Sequence, residues 1–185
     1  MRPNFTLRLM KVRTIHSADE ANELISLATR SATKALAQVS ELAGTDALSA
    51  LWSMKVRPVG CDPLDADTPL NLIEQLNQTF TYIASARAVK VLLSLHPEIA
   101  PFTLNLGTSP GSDIESKRGV GLAAEVFAAV IPSNNKKLTR DIDKVAAVTG
   151  VGLKYVFFMC PGYDEGRQPK WERPGIFVWS VEAEA

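Results

Sequence analysis

The chain has 185 residues, 46% of them hydrophobic and 22% charged, a composition that builds one folded domain with a sizeable core and excludes extensive disorder. Its 20 Lys and Arg balance 20 Asp and Glu, so no global charge recruits a nucleic acid, a membrane surface or an acidic partner. Cys61 and Cys160 stand far apart without metal-ligand neighbours and read as buried thiols in a reducing compartment. No apolar run approaches the roughly 20 residues of a membrane span, and the N-terminus lacks an apolar stretch with a cleavage site. A cytoplasmic location is expected, with no membrane partner.

Phe5, Leu7 and Leu9 alternate with Thr6 and Arg8, the pattern of a short strand or ordered arm. Ser17 followed by Glu20 is a capping-box signature. Behind it Ala21, Leu24, Ile25, Ala28, Ala32, Ala35, Leu36, Val39 and Leu42 recur at helical spacing up to Gly44. Thr45 is placed to cap a shorter helix with Leu48, Leu51 and Trp52 on one face. Residues 58–69, with Gly60, Asp62 and Pro63, read as a loop. Thr68 and Pro69 then predict the N-cap and first turn of the longest helix, which ends near His96. Its expected core stripe is Leu72, Ile73, Leu76, Phe80, Ile83, Ala84, Val91, Leu92 and Leu95. A second stripe, Glu74, Asn77, Gln78, Thr81 and Ser85, is polar yet carries a single charge. It is either an ordinary surface face or one packed against something polar.

After Pro101 the period changes from helix to strand. Phe102, Leu104 and Leu106 alternate with Thr103 and Asn105 up to Gly107, and a turn covers 108–111. Strands follow at 112–116 and 122–130, joined by a hairpin turn over 117–121. Ser133 or Asn134 is expected to cap a helix with Leu138, Ile142 and Val145 inward, stopped by Gly150. Residues 153–160, apolar on both faces except Lys154, predict a central strand. A loop rich in Gly, Pro and charge covers 161–175, and a last strand 176–181.

The hairpin carries the most chemistry. Asp113 and Glu125 are equidistant in sequence from Gly119, so a three-residue loop centred there sets the two carboxylates opposite each other. Opposed Cβ atoms lie about 4.5–5.5 Å apart, and like charges at that spacing destabilise a sheet. A shared proton, a bridging cation or a different register relieves the conflict. Spacing alone leaves open a plainer arrangement, with Asp113 in a solvated turn and Glu125 on an open face. Glu125 itself argues against it, as the sole charge between Leu122 and Val130. A buried carboxylate needs a partner or a metal, or it neutralises. Mg²⁺ takes one or two carboxylates plus water and substrate phosphates and can generate a nucleophilic hydroxide.

Two basic segments are candidate nucleic-acid contacts. Lys136, Lys137, Arg140 and Lys144 share one helix, broken by Asp141 and Asp143. Arg167, Lys170 and Arg173 flank Trp171 as in single-strand contacts, diluted by Asp164, Glu165 and Glu172. His16 and His96 are isolated and read as structural or surface groups. Gly107 to Gly111 has no P-loop continuation, and no Gly-x-Ser-x-Gly elbow occurs.

The element order over residues 68–160 is helix, three strands, helix, strand. With the Ser-Pro-Gly-Ser-Asp-Ile run at 109–114 and the Ala-Ala-Glu-Val-Phe run at 123–127, it resembles the PD-(D/E)XK nuclease superfamily, over about half of the chain. The resemblance implies an α/β fold with a restriction endonuclease-like mixed sheet, core order α-β-β-β-α-β. The core would span 67–185 of a single domain 1–185, after a helical extension over 1–66. It further implies a Mg²⁺-dependent DNA endonuclease hydrolysing phosphodiester bonds, with Mn²⁺ able to substitute. Asp113 and Glu125 match the two metal-holding catalytic acids, and Glu74 matches an assisting glutamate on the first core helix. The sequence departs from the pattern at Phe127, where the family places lysine, on the same strand face as Glu125. A phenyl ring cannot polarise water or stabilise developing charge. Some members supply the lysine from the following helix, where Lys137, and after it Lys136, are the candidates. The alternative is a catalytically inactive nuclease-fold protein that acts as a DNA-binding or regulatory module. An enzyme of another α/β family, acting on a small molecule, is a third reading. DNA is the partner the resemblance implies, without support from net charge, and a homodimer is kept open.

Overall fold

Alternating hydrophobicity closes into one mixed sheet in the computed structural model, which describes residues 11–107 and 110–183. The segment around Phe5, Leu7 and Leu9 lies outside the described residues, as does Ser109. Four strands form the antiparallel half of the sheet: β1 (Val12–Ile15), β4 (Phe102–Asn105), β5 (Ile114–Ser116) and β6 (Leu122–Ala128). Beyond β6, β7 (Leu153–Met159) and β9 (Phe177–Val181) run parallel to it, and the two-residue β8 (Gly166–Arg167) closes the edge. The order across the sheet is β1-β4-β5-β6-β7-β9-β8. The helix α4 (Lys137–Ala146) makes the crossover from β6 to β7, as a parallel pair requires.

Successive side chains of a strand point to opposite faces, and both faces of β6 and β7 are covered. On one face Ala124, Val126, Tyr155 and Phe157 pack with α1 (Ala18–Ser40) and α3 (Leu72–Leu95), through residues that include Leu24, Val89 and Leu92. On the other, Ala123, Phe127, Val156 and Phe158 meet Leu138, Ile142 and Val145 of α4. β7 is thus central and two-sided, as its apolar run implies. No helix among the described residues is long and apolar enough to cross a membrane.

The helix α1 follows its sequence signals at its start, whereas Leu36 of the expected stripe is 65% exposed and a 3₁₀ turn replaces the last turn before Gly44. Ser17 Oγ accepts from Glu20 N at 3.3 Å, and Glu20 Oε2 accepts from His16 N at 2.7 Å, satisfying otherwise orphaned donors. Ala21, Leu24, Ala28, Ser31 and Ala35 make its buried stripe. The helix α2 (Ala47–Val56) buries only Ser53 and exposes the Leu48, Leu51 and Trp52 face.

Five expectations are corrected, the first being that Asp46 and not Thr45 caps α2, its Oδ1 accepting from Ser49 N at 3.0 Å. Residues 58–69 are not a loop: β2 (Gly60–Asp62) and β3 (Asp65–Leu70) pair as an antiparallel hairpin. Pro69 lies within it, opposite Cys61, on an edge that tolerates a missing N–H. The N-cap of α3 is therefore Asn71, which accepts from Glu74 N at 2.9 Å, and Thr68 bonds Asp65 instead. The expected core stripe of α3 is out of phase in its first half. Gln75 and Thr79 are buried there, while Ile73, Leu76 and Phe80 are about half exposed. The cause is polar: Gln75 accepts from Cys61 N (2.8 Å) and donates to Ser31 O and Oγ (3.1 Å each), tying α3 to β2 and α1. Gly60 makes room, since a Cβ there would come within 2.0 Å of Gln75 Oε1. Lastly, neither Ser133 nor Asn134 caps α4. A 3₁₀ turn over Asn134–Lys136 precedes it, with Asn135 and Lys136 at φ 51° and 56°.

Candidate functional site

The β5–β6 register pairs Ile114 with Ala124, Glu115 with Ala123 and Ser116 with Leu122. It is centred on Gly119, as the sequence spacing requires, although the connection spans 117–121 rather than three residues. Continued one residue beyond the ladder, the register sets Asp113 opposite Glu125. Asp113 is anchored on both sides: its Oδ2 accepts from Val126 N at 2.8 Å and its backbone carbonyl from Asn105 N at 2.8 Å.

Glu125 is 1% exposed. Its Oε2 accepts from Lys144 Nζ at 2.6 Å, whereas Oε1 is buried without a hydrogen-bond partner. Burial, then the charge of Asp113, pushes its carboxyl up to about 7, against the opposing pull of Lys144. Lys144 is itself partly desolvated, which works against its charge, but Glu125 with Asp113 and Asp141 holds it above the usual lysine range.

A third acid joins the pair. Asp141 is buried, with Oδ1 on Lys137 Nζ at 2.7 Å and Oδ2 without a partner. Its carboxyl is raised by burial, opposed by Lys137 and reinforced by Asp113. Lys137, Asp141 and Lys144 are spaced i, i+4 and i+7 and so share one face of α4, turned to the sheet face that bears Glu125. Lys137 Nζ also lies 5.6 Å from the centroid of Phe127, a cation–π distance. Phe127 is a core residue, stacked on Phe158 at 6.1 Å.

A groove of about 700 Å³ opens beside this cluster. Leu76, Asn77, Phe80 and Thr81 of α3 form one wall, and Asp113, Val126, Phe127 and Lys137 line the other. The polar stripe of α3 thus reaches the groove through Asn77 and Thr81. Glu74 does not line it and is exposed in the first turn of the helix. Lys136 is likewise exposed, in the left-handed residue before α4.

Of the residues selected from sequence, the fold brings together Asp113, Glu125 and Lys137, and leaves Glu74 and Lys136 outside. Sequence reasoning missed Lys144 and Asp141 as members. The signal was present, because a buried Glu125 demands a cation and Lys137, Asp141 and Lys144 carry helical spacing.

The other candidates are internally satisfied. Arg167 forms a bidentate pair with Glu172 (2.7 and 2.8 Å), Arg173 pairs with Asp143, and Lys170 sits 4.1 Å over Trp171. His96 Nε2 bonds Tyr155 Oη at 2.7 Å, and His16 is exposed. Cys61 and Cys160 are free and buried, and burial pushes the Cys160 thiol up to about 11.

Among the described residues no three His, Cys, Asp or Glu side chains converge into a set that would hold a metal ion. Asp113 and Glu125 offer two carboxylates, one with an unpartnered oxygen, which matches the hard-oxygen demand of Mg²⁺ or Mn²⁺. Comparison with protein-family models, curated proteins and solved structures finds no match to this chain.

Proposed function

We propose that this chain is a nuclease-fold protein that hydrolyses DNA phosphodiesters with Mg²⁺ or Mn²⁺ held at Asp113 and Glu125. One observation carries the reading: a carboxylate oxygen of Glu125 is buried without a donor, next in the strand to Val126, whose N–H holds a second acid, Asp113, at the rim of a groove. The succession α3, β4, β5, β6, α4, β7 supports it, being the α-β-β-β-α-β order of the restriction endonuclease-like core. So does the supply of cations from α4, since Phe127 cannot act.

Each side chain then has a role. The Val126 N–H orients Asp113. Lys144 engages Glu125 Oε2 and favours the ionised carboxyl, leaving Oε1 for the ion. Lys137, on the groove wall, supplies positive charge to a phosphate. The ion, when bound, supplies Lewis-acid stabilisation of charge on that phosphate.

Supercoiled plasmid and labelled single strands, incubated with Mg²⁺ or Mn²⁺, should be cut by the wild type and not by Asp113→Ala. Lys137→Ala and Lys144→Ala should each lower the rate by roughly 10²-fold or more, the scale of losing one charge-stabilising donor. Millimolar Mn²⁺ should raise Tm by several degrees in the wild type and not in Asp113→Ala, because a ligand selective for the folded state stabilises it. A second reading, a non-catalytic DNA-binding or regulatory protein, is favoured by Lys144, which already neutralises Glu125 without an ion. Wild-type protein that binds DNA, cuts no substrate and shows no Mn²⁺ shift would select it.

A further inference from the structure

The groove contains more than the acid pair requires. Phe80 is a large ring 48% exposed on its wall, outside both core clusters, and Leu76 beside it is 45% exposed. Asn77, one turn before Thr81 on the same wall, is exposed and offers a donor and an acceptor together. A volume of about 700 Å³ is of the size that takes a small planar ligand.

The charge around the groove does not suit a long phosphate track. Binding duplex DNA through its backbone requires several Lys or Arg free to displace counterions. Among the described residues that line the groove, Lys137 is the single Lys or Arg, enough for one phosphate but not for a backbone track. A second cavity shares Pro161 and Ala183 with the groove and is lined by Asp164, Glu165 and Glu182, which repel a continuing backbone. Stacking on an aromatic ring contributes about 1–3 kcal/mol per base through the base's π-face, which an unpaired base exposes and a duplex covers.

We infer that the groove binds an unpaired nucleobase, with Phe80 stacking on its face and Asn77 contacting its edge. The preferred nucleic acid is then single-stranded or locally unpaired DNA. The inference rests on the nucleic-acid part of the proposed function and is independent of hydrolysis.

The test is fluorescence anisotropy with the full chain in EDTA. Its probes are a labelled mixed-sequence single strand, the matched duplex and the same strand with abasic sites. The single strand should bind at least about tenfold tighter than the duplex, with a shallow salt dependence. Abasic substitution and Phe80→Ala should each weaken binding roughly 5- to 150-fold, the range of one lost stack. Phe80→Trp should retain it, and circular dichroism confirms that each variant folds. Duplex bound as tightly as single strand, an Ala variant equal to wild type, or no binding to any probe overturns the inference. Cleavage without a Phe80 effect removes the base site and leaves the nuclease reading standing. Single-strand binding that depends on Phe80, without cleavage, does the reverse.

Discussion

A glutamate 1% exposed within a sheet has lost most of its hydration, and Glu125 recovers it through one ammonium on one oxygen. The folded state therefore holds a proton on this carboxyl more tightly than the unfolded chain does. Stability from this group is complete below the ordinary value of 4.5 and is lost as pH rises through about 7. In metal-free buffer the urea midpoint should fall between about pH 5 and pH 8, by roughly 1–3 kcal/mol in free energy. Glu125→Gln should flatten that slope, and an equal slope in the variant would remove Glu125 as its source. Lys144→Met takes away the countercharge, so the Glu125 carboxyl should titrate higher still, as read by carboxyl NMR. Asp113 matters in the same balance, because its charge lies among the causes that raise both Glu125 and Asp141.

At the scale of elements, α3 does two jobs with its two halves. Its second half buries Ala84, Ala88, Val89 and Leu92 against the sheet. Its first half is held by Gln75 between α1 and β2, and this frees Leu76 and Phe80 to line the groove. Gln75→Ala should cost roughly 2–3 kcal/mol in urea denaturation, because it strands the buried Cys61 N–H as well as losing its own bonds. Gly60→Ala should destabilise comparably, since the added methyl collides with the Gln75 amide. The helix α2 behaves oppositely. Leu51→Ser and Trp52→Ser remove side chains more than 60% exposed, and should alter stability by no more than about 0.5 kcal/mol.

Across the whole molecule, the central strand β7 couples the two cores. Phe157 and Phe158 are each 0% exposed and point to opposite faces, toward α1 and α3 on one side and α4 on the other. Either Phe→Ala change should cost roughly 3–5 kcal/mol. Phe158→Ala should also disturb the site, because Phe158 supports Phe127, over which Lys137 sits. Loss of Mn²⁺ stabilisation in Phe158→Ala, with retention in Phe157→Ala at a temperature where both are folded, would mark the α4 face as the support of the site.

Patterns set by neighbours in the chain were legible without coordinates. The stripe Ala21, Leu24, Ala28 and Ala35 defined α1, the two-sided apolar run defined β7, and the symmetry of Asp113 and Glu125 about Gly119 gave the hairpin register. These follow from periods of 3.6 and 2, which the local backbone imposes on any sequence. The tertiary structure alone decided which face of α3 is buried, because Gln75 and Thr79 are polar and gain by burial only where β2 and α1 come within reach. It also decided which lysine meets Glu125. Lys144 lies 19 residues away in sequence, and only the crossover of α4 over the face of β6 that bears Glu125 brings its ammonium to that buried carboxylate.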